Sequence, residues 1–179
     1  MRVHLSVATG LLAIVCVCAS SALAQQVTKP IVPGITNLAR VETTVACAGA
    51  ITPESVVEVK KMGFVSVINL RRASEEGANV EKEEAAAKAA GIRYYHVPYD
   101  GSADPKAADA FLTAITTKGA EPAFIHCAGG NRAATMWLIK RIAIDHWDVD
   151  RATKEAILLG QTNPTTRQFA IDFGQAHKR

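Results

Sequence analysis

Short apolar runs alternate with longer stretches of helical spacing along most of this chain. Val41 to Cys47 reads as a β-rich run, and Phe64 to Leu70 as a strand of the fully buried kind. Ile92 to Val97 is another strand, broken at Pro98, and Ala123 to His126 is the next. Helices fill the intervals. Thr52-Pro53-Glu54 opens the first, with Thr52 as cap, Pro53 at the first helical position and an acid in the first turn; Gly63 ends it. Glu75 to Ala90 is the second, stopped by Gly91. Its charge run, with Glu84 and Lys88 as an i,i+4 pair, reads as a solvated helix face. Pro105 starts a helix that runs to about Thr117, and Ala133 to about His146 forms the following one. Asp148 or Asp150 caps another that ends near Gly160, and Thr165 to His177 is the last. Gln25 to Asn37, with Pro30, Pro33 and Gly34, reads as an irregular lead-in. Strands alternating with such helices predict an α/β fold, a mainly parallel sheet with helices on both faces. In sheets of this kind ligands bind beyond the carboxyl ends of the strands. The Arg71-Arg72 loop, the Tyr99–Asp104 loop and the loop after His126 therefore converge on one rim.

The first 24 residues change the picture at the N-terminus. Arg2 and His4 form a short polar start, Leu5 to Ala19 is apolar, and Ala22-Leu23-Ala24 is a small-x-small cleavage signal. The expectation is a cleaved signal peptide and an exported protein, periplasmic or secreted, with residues 38–179 as one domain. Cys16 and Cys18 leave with the leader, and the mature chain keeps Cys47 and Cys127. A formal charge of +3, reduced by loss of Arg2, is too weak to argue for nucleic acid or an anionic membrane surface. No metal or organic cofactor is implied. The sequence has no Cys/His cluster at ligand spacing and no dinucleotide-binding glycine fingerprint.

The densest chemistry lies in His126-Cys127-Ala128-Gly129-Gly130-Asn131-Arg132, between an apolar run and a helix-forming run. A loop of this kind directs backbone N–H groups and a helix N-terminus at an anion. The same field favours thiolate over thiol, and the thiolate is the nucleophile. Arg132 adds a planar fork suited to phosphate-like oxygens. In an exported protein the two remaining cysteines would first be read as a disulfide. Cys47 and Cys127 both end predicted strands, so Cys47 is either a resolving partner for Cys127 or a small buried residue.

His-Cys, a glycine-bearing loop and Arg resemble the cysteine-dependent protein-tyrosine and dual-specificity phosphatases. The wider pattern is similar to the small bacterial phosphatase-like domains of the beta-lactamase-hydrolase-associated type. It is carried by Gly63 to Arg71, by Ala89 to Pro98 and by the Cys loop, over about residues 38–160. The resemblance implies a dual-specificity-phosphatase-like fold and hydrolysis of phosphomonoesters through a thiophosphate on Cys127. It further implies Arg132 as the oxyanion clamp and the backbone of Ala128, Gly129, Gly130, Asn131 and Arg132 as the phosphate cradle. His126 would help hold the loop, and a loop Asp would protonate the leaving oxygen. The expected partner is a phosphorylated small molecule or phosphoprotein met by a monomer, without nucleic acid and without stable membrane association.

Two departures keep alternatives open. The usual phosphatase loop is one residue longer between Cys and Arg. The shorter loop here is the length found in rhodanese-type sulfurtransferases, whose persulfide adds one atom to the Cys, and it also occurs in this bacterial group. Phosphatases usually carry Ser or Thr after the Arg, where this chain has Ala133, with Thr135 two residues on. A persulfide-carrying sulfurtransferase is the first alternative, and a non-catalytic phosphate-binding module the second. Of the two acids before the Pro105 helix, Asp104 is placed as a helix cap. Asp100 is therefore favoured as general acid.

Overall fold

A computed structural model describes residues 26–178. The expected leader and cleavage signal, with Cys16 and Cys18, lie outside the described residues. Six strands form one sheet: β1 (Val27–Thr28), β2 (Ala39–Val41), β3 (Val45–Ala48), β4 (Ser66–Asn69), β5 (Arg93–His96) and β6 (Ala123–His126). Their spatial order is β1-β2-β3-β6-β4-β5. The four strands from β3 to β5 in that order run parallel, while β1 and β2 are antiparallel additions at one edge. The interior strands β3, β4 and β6 are buried at every position, as strands covered on both faces must be.

The helices are α1 (Val56–Lys61, preceded by a 3-10 turn at Pro53–Ser55), α2 (Val80–Ala90), α3 (Pro105–Thr116), α4 (Asn131–Ala143), α5 (Val149–Leu158) and α6 (Pro164–Ala176). Strand alternation divides the core between the two faces. Ala46, Ala48, Val67 and Phe124 pack with Val56 and Val59 of α1 and Ala87 of α2. Val45, Cys47, Ile68, Ile125 and Cys127 face the side covered by α3, α4 and α6. Every residue of α4 from Ala133 to Ala143 is buried. The helix that starts at the Cys loop is thus clamped along its length, which fixes the direction of its N-terminus.

The structure corrects the expected elements in several places. Val41 to Cys47 is not one strand but a hairpin, β2 turning into β3 through residues 42–44, with Glu42 at φ 42°. Residues 26–37 are not wholly irregular, because β1 pairs with β2 and Ile35 bridges to Val32 and Ile51. The second helix begins at Val80, not Glu75. Residues 75–79 form turns instead, with Gly77 and Asn79 at positive φ. Asp148, rather than Asp150, caps α5 by accepting from the Arg151 N–H, and Asn163 caps α6.

Candidate active site

β6 ends at His126, and Cys127 to Gly130 turn directly into α4. Gly130 is the cap at φ 104°, a left-handed conformation that a side chain would strain. Its N–H donates to the Cys127 Sγ at 3.1 Å. The loop is held from outside by its neighbours. Cys127 N–H donates to the Ala48 carbonyl at 3.1 Å, Ala50 N–H to the Ala128 carbonyl at 3.0 Å, and Asn37 Nδ2 to the Gly129 carbonyl at 3.1 Å. Carbonyls are thereby occupied outside the loop, leaving the N–H side for an anion. Gly49 permits the approach: a Cβ there would lie 2.9 Å from the Ala128 carbonyl and 2.4 Å from Thr36 Oγ1. A cavity of about 700 Å³ adjoins the loop, bounded by Lys29, Ile31, Asn37, Gly129, Asn131 and Thr162.

Arg132 lies in the first turn of α4. Its Nη1 and Nη2 donate to the two carboxylate oxygens of Glu75, each at 2.7 Å, and Nη1 also donates to the Tyr99 carbonyl. The guanidinium is held charged by the Glu75 hydrogen bonds, and Cys127 nearby adds to this. Glu75 occupies the Nη1–Nη2 edge, which leaves the Nε–Nη2 edge for an oxyanion beside Cys127. Glu75 in turn is held down to about 2, first by the Arg132 hydrogen bond. The expected pair of Cys127 and Arg132 is brought together, with an acid that the sequence placed in a helix.

The other expected residues divide. The Arg71 side chain turns away from the rim and donates to the carbonyls of Glu76 and Gly77, with Glu75 Oε2 at 3.4 Å from its Nε. It supports the Glu75 turn. Asp104 caps α3 by accepting from the N–H groups of Lys106 and Ala107, as expected. Asp100 is exposed, and its Oδ1 accepts from the Ser102 N–H at 2.8 Å, a contact that holds its carboxyl below the usual range. Its loop reaches the arginine: a Cβ on Gly101 would lie 3.6 Å from Arg132 Cγ and Cδ. The Asn131 side chain accepts from the Thr162 and Asn163 N–H groups at 2.8 and 3.1 Å, so Asn131 faces the cradle only through its backbone. Thr135 donates to the Asn131 carbonyl at 2.8 Å, one turn back along its own helix.

Cys47 pairs with Ile125 in the sheet and so lies diagonally below Cys127 on the same face. Both thiols are free and buried. Burial, then the proximity of Cys127 and Glu155, pushes the Cys47 thiol well above its ordinary value. Two functional candidates escaped the sequence. Glu75 carried one signal, an acid within a rim loop that also holds Arg71 and Arg72. Glu83, read as part of a solvated face, is fully buried, with Oε2 3.1 Å from His126 Nε2. Its spacing of four from the inward-facing Ala87 was the only hint.

Comparison with known proteins agrees with this geometry. A beta-lactamase hydrolase-like protein of Agrobacterium fabrum is 33% identical over 105 residues, covering 56% of this chain and 24% of that protein. The chain thus spans about a quarter of the length of such relatives. Among solved structures, a Shewanella putrefaciens protein described as a phosphatase superposes with a TM-score of 0.66 at 18% identity, covering 82% of this chain and 96% of that one. Pseudomonas aeruginosa TpbA, solved in complex with pTyr, gives a TM-score of 0.59 at 19% identity, covering 87% and 91%. These likenesses fix the fold as the phosphatase-type α/β fold expected from the sequence. The family model that matches residues 37–144, more than half of the chain, spans the hairpin, both rim loops, the Cys loop and α4. The chain belongs to the phosphatase-like domain family of the beta-lactamase hydrolase-like proteins.

Proposed function

We propose that this chain is a cysteine-dependent phosphatase acting on phosphomonoesters. Cys127 sulfur attacks phosphorus in line as the ester P–O bond breaks, giving a thiophosphate. Asp100 hands its proton to the leaving oxygen, then takes one from the water that attacks phosphorus and frees the sulfur. The N–H groups of the loop from Ala128 to Arg132 and the open edge of Arg132 stabilise the charge on the transferring group. The observation that carries this reading is the 3.1 Å hydrogen bond from Gly130 N–H to Cys127 Sγ at the head of α4, beside Arg132. It supports a sulfur seated in an anion cradle. The phosphotyrosine bound by the similarly folded TpbA supports a phosphorylated substrate. The leader-like N-terminus supports a substrate outside the cytoplasm.

The short loop favours one second reading, sulfur transfer through a persulfide on Cys127. One set of assays separates the two: an aryl phosphate, and thiosulfate with cyanide, each with wild type and Cys127→Ser. Release of phosphate that is lost in Cys127→Ser is the expected result. Thiocyanate formation without phosphate release would overturn the proposal in favour of sulfur transfer. Turnover of neither substrate would leave a phosphate-binding module.

A further inference from the structure

Glu83 is a buried acid inside an exposed charge run. Glu81, Lys82 and Glu84 on α2 face solvent, whereas Glu83 has no exposed surface. Burying a carboxylate is costly unless it is well paired, and an aliphatic side chain would fill such a place more cheaply. The pairing here is incomplete. Oε2 accepts from Asn69 Nδ2 at 2.8 Å and from the Tyr94 hydroxyl at 3.3 Å, while Oε1 has no hydrogen-bond partner. The His126 ring approaches Oε2 to 3.1 Å but off the line of a ring N–H hydrogen bond, so the contact is one of charge and dipole. Burial keeps the Tyr94 phenol protonated and therefore a donor.

The neighbours of Glu83 lead to both reacting groups. His126 precedes Cys127, and its ring lies beside Phe124 on the sheet face opposite the cysteine. Asn69 uses its other side-chain atom, Oδ1, to accept the Arg71 N–H at 2.7 Å. Arg71 then holds the turn that carries Glu75, and Glu75 grips Arg132 through two hydrogen bonds. One carboxylate is thus two side chains from the nucleophile along one path, and behind the arginine clamp along the other.

We propose that Glu83 is a positioning residue for both reacting groups, setting the His126 ring behind Cys127 and, through Asn69, the Arg71–Glu75 turn that presents Arg132. The assignment rests on the reading of Cys127 and Arg132 given above. Glu83→Gln keeps the volume and an oxygen for Asn69 and Tyr94, removes the charge and puts an amide NH2 in place of the unpartnered Oε1. Small misplacement of reacting groups can cost up to about 10²-fold in rate. The expected result is a fall in kcat for p-nitrophenyl phosphate of about tenfold or more, with the urea midpoint unchanged. In a His126→Asn background the same substitution should cost much less, because one path is already cut.

Unchanged kcat in Glu83→Gln overturns the assignment. So does a kcat loss matched by a loss of folded protein, or effects that simply add with His126→Asn. If the Glu83 variant does not fold, Tyr94→Phe carries the same test. It removes one donor to Oε2 and keeps the ring, and a lowered kcat at an unshifted urea midpoint is expected; an unaltered kcat refutes. Cys127→Ser separates the two levels. Activity that survives in Cys127→Ser refutes the phosphatase reading, whereas an inactive Cys127→Ser beside a fully active Glu83→Gln refutes only the role of Glu83.

Discussion

Replacing Glu75 with Gln should both loosen Arg132 and remove a pH-dependent part of the stability. In the folded protein the Glu75 carboxyl is lowered from 4.5 to about 2, chiefly by its two 2.7 Å hydrogen bonds to Arg132. At about 1.4 kcal/mol per unit, that depression sets a ceiling of about 3 kcal/mol. Solvent at the loop rim screens the pair and brings the expected value to about 1–2 kcal/mol. Because the folded-state value is the lower one, the stabilisation is present in full above pH 4.5 and drains away as pH falls toward 2. Urea unfolding of wild type and Glu75→Gln, run side by side near pH 7 and near pH 3, isolates this residue from the other carboxylates. The gap between the two proteins should be about 1–2 kcal/mol at the higher pH and shrink by half or more at the lower. A gap of the same size at both pH values would refute the ion pair as its source. In parallel, KM for an aryl phosphate should rise, since the guanidinium fork loses the carboxylate that aims it.

Other substitutions test separate parts of the site. Asp104→Ala should cost about 1 kcal/mol of stability through its lost cap, read as a lower urea midpoint. Asp100→Asn should instead slow hydrolysis of poor leaving groups by roughly 10²–10⁴-fold and spare activated aryl esters. The reverse pattern would exchange the two roles. Because the Ser102 contact holds the Asp100 carboxyl low, turnover of alkyl phosphates should rise as the pH falls and more of the acid carries its proton; a flat pH–rate profile would refute Asp100 as the proton donor. Gly49→Ala should abolish activity in a folded protein, since its Cβ drives into the Ala128 carbonyl; full activity would show that the loop can shift at no cost. Native protein treated with iodoacetamide at neutral pH should be alkylated at Cys127 alone, with Cys47 reacting only after unfolding. Mass mapping of Cys47 labelled as readily as Cys127 in folded protein would contradict the raised Cys47 thiol.

Local chemistry wrote much of this fold into the chain. The buried runs at β4 and β6, Pro105 after Asp104, Gly91 after α2 and the glycines of the Cys loop each act on their nearest neighbours, so their elements lie close to where the sequence placed them. The alternation of strands and helices determined the parallel sheet, and with it the rim on which Cys127 and Arg132 meet. The misreadings share one cause. The break in Val41 to Cys47 depends on pairing between β2 and β3, and the late start of α2 on Arg132 drawing Glu75 out of a helix from far along the chain. Glu83 looks like its solvated neighbours because helical charge runs are usually wet; only the packing of α2 over β5 and β4 makes it a buried partner of His126 and Asn69. Short-range steric and capping preferences were thus fixed by the sequence itself. The tertiary structure alone decided which charges pair across the rim, because such pairs are chosen by distance in space and by exclusion of water.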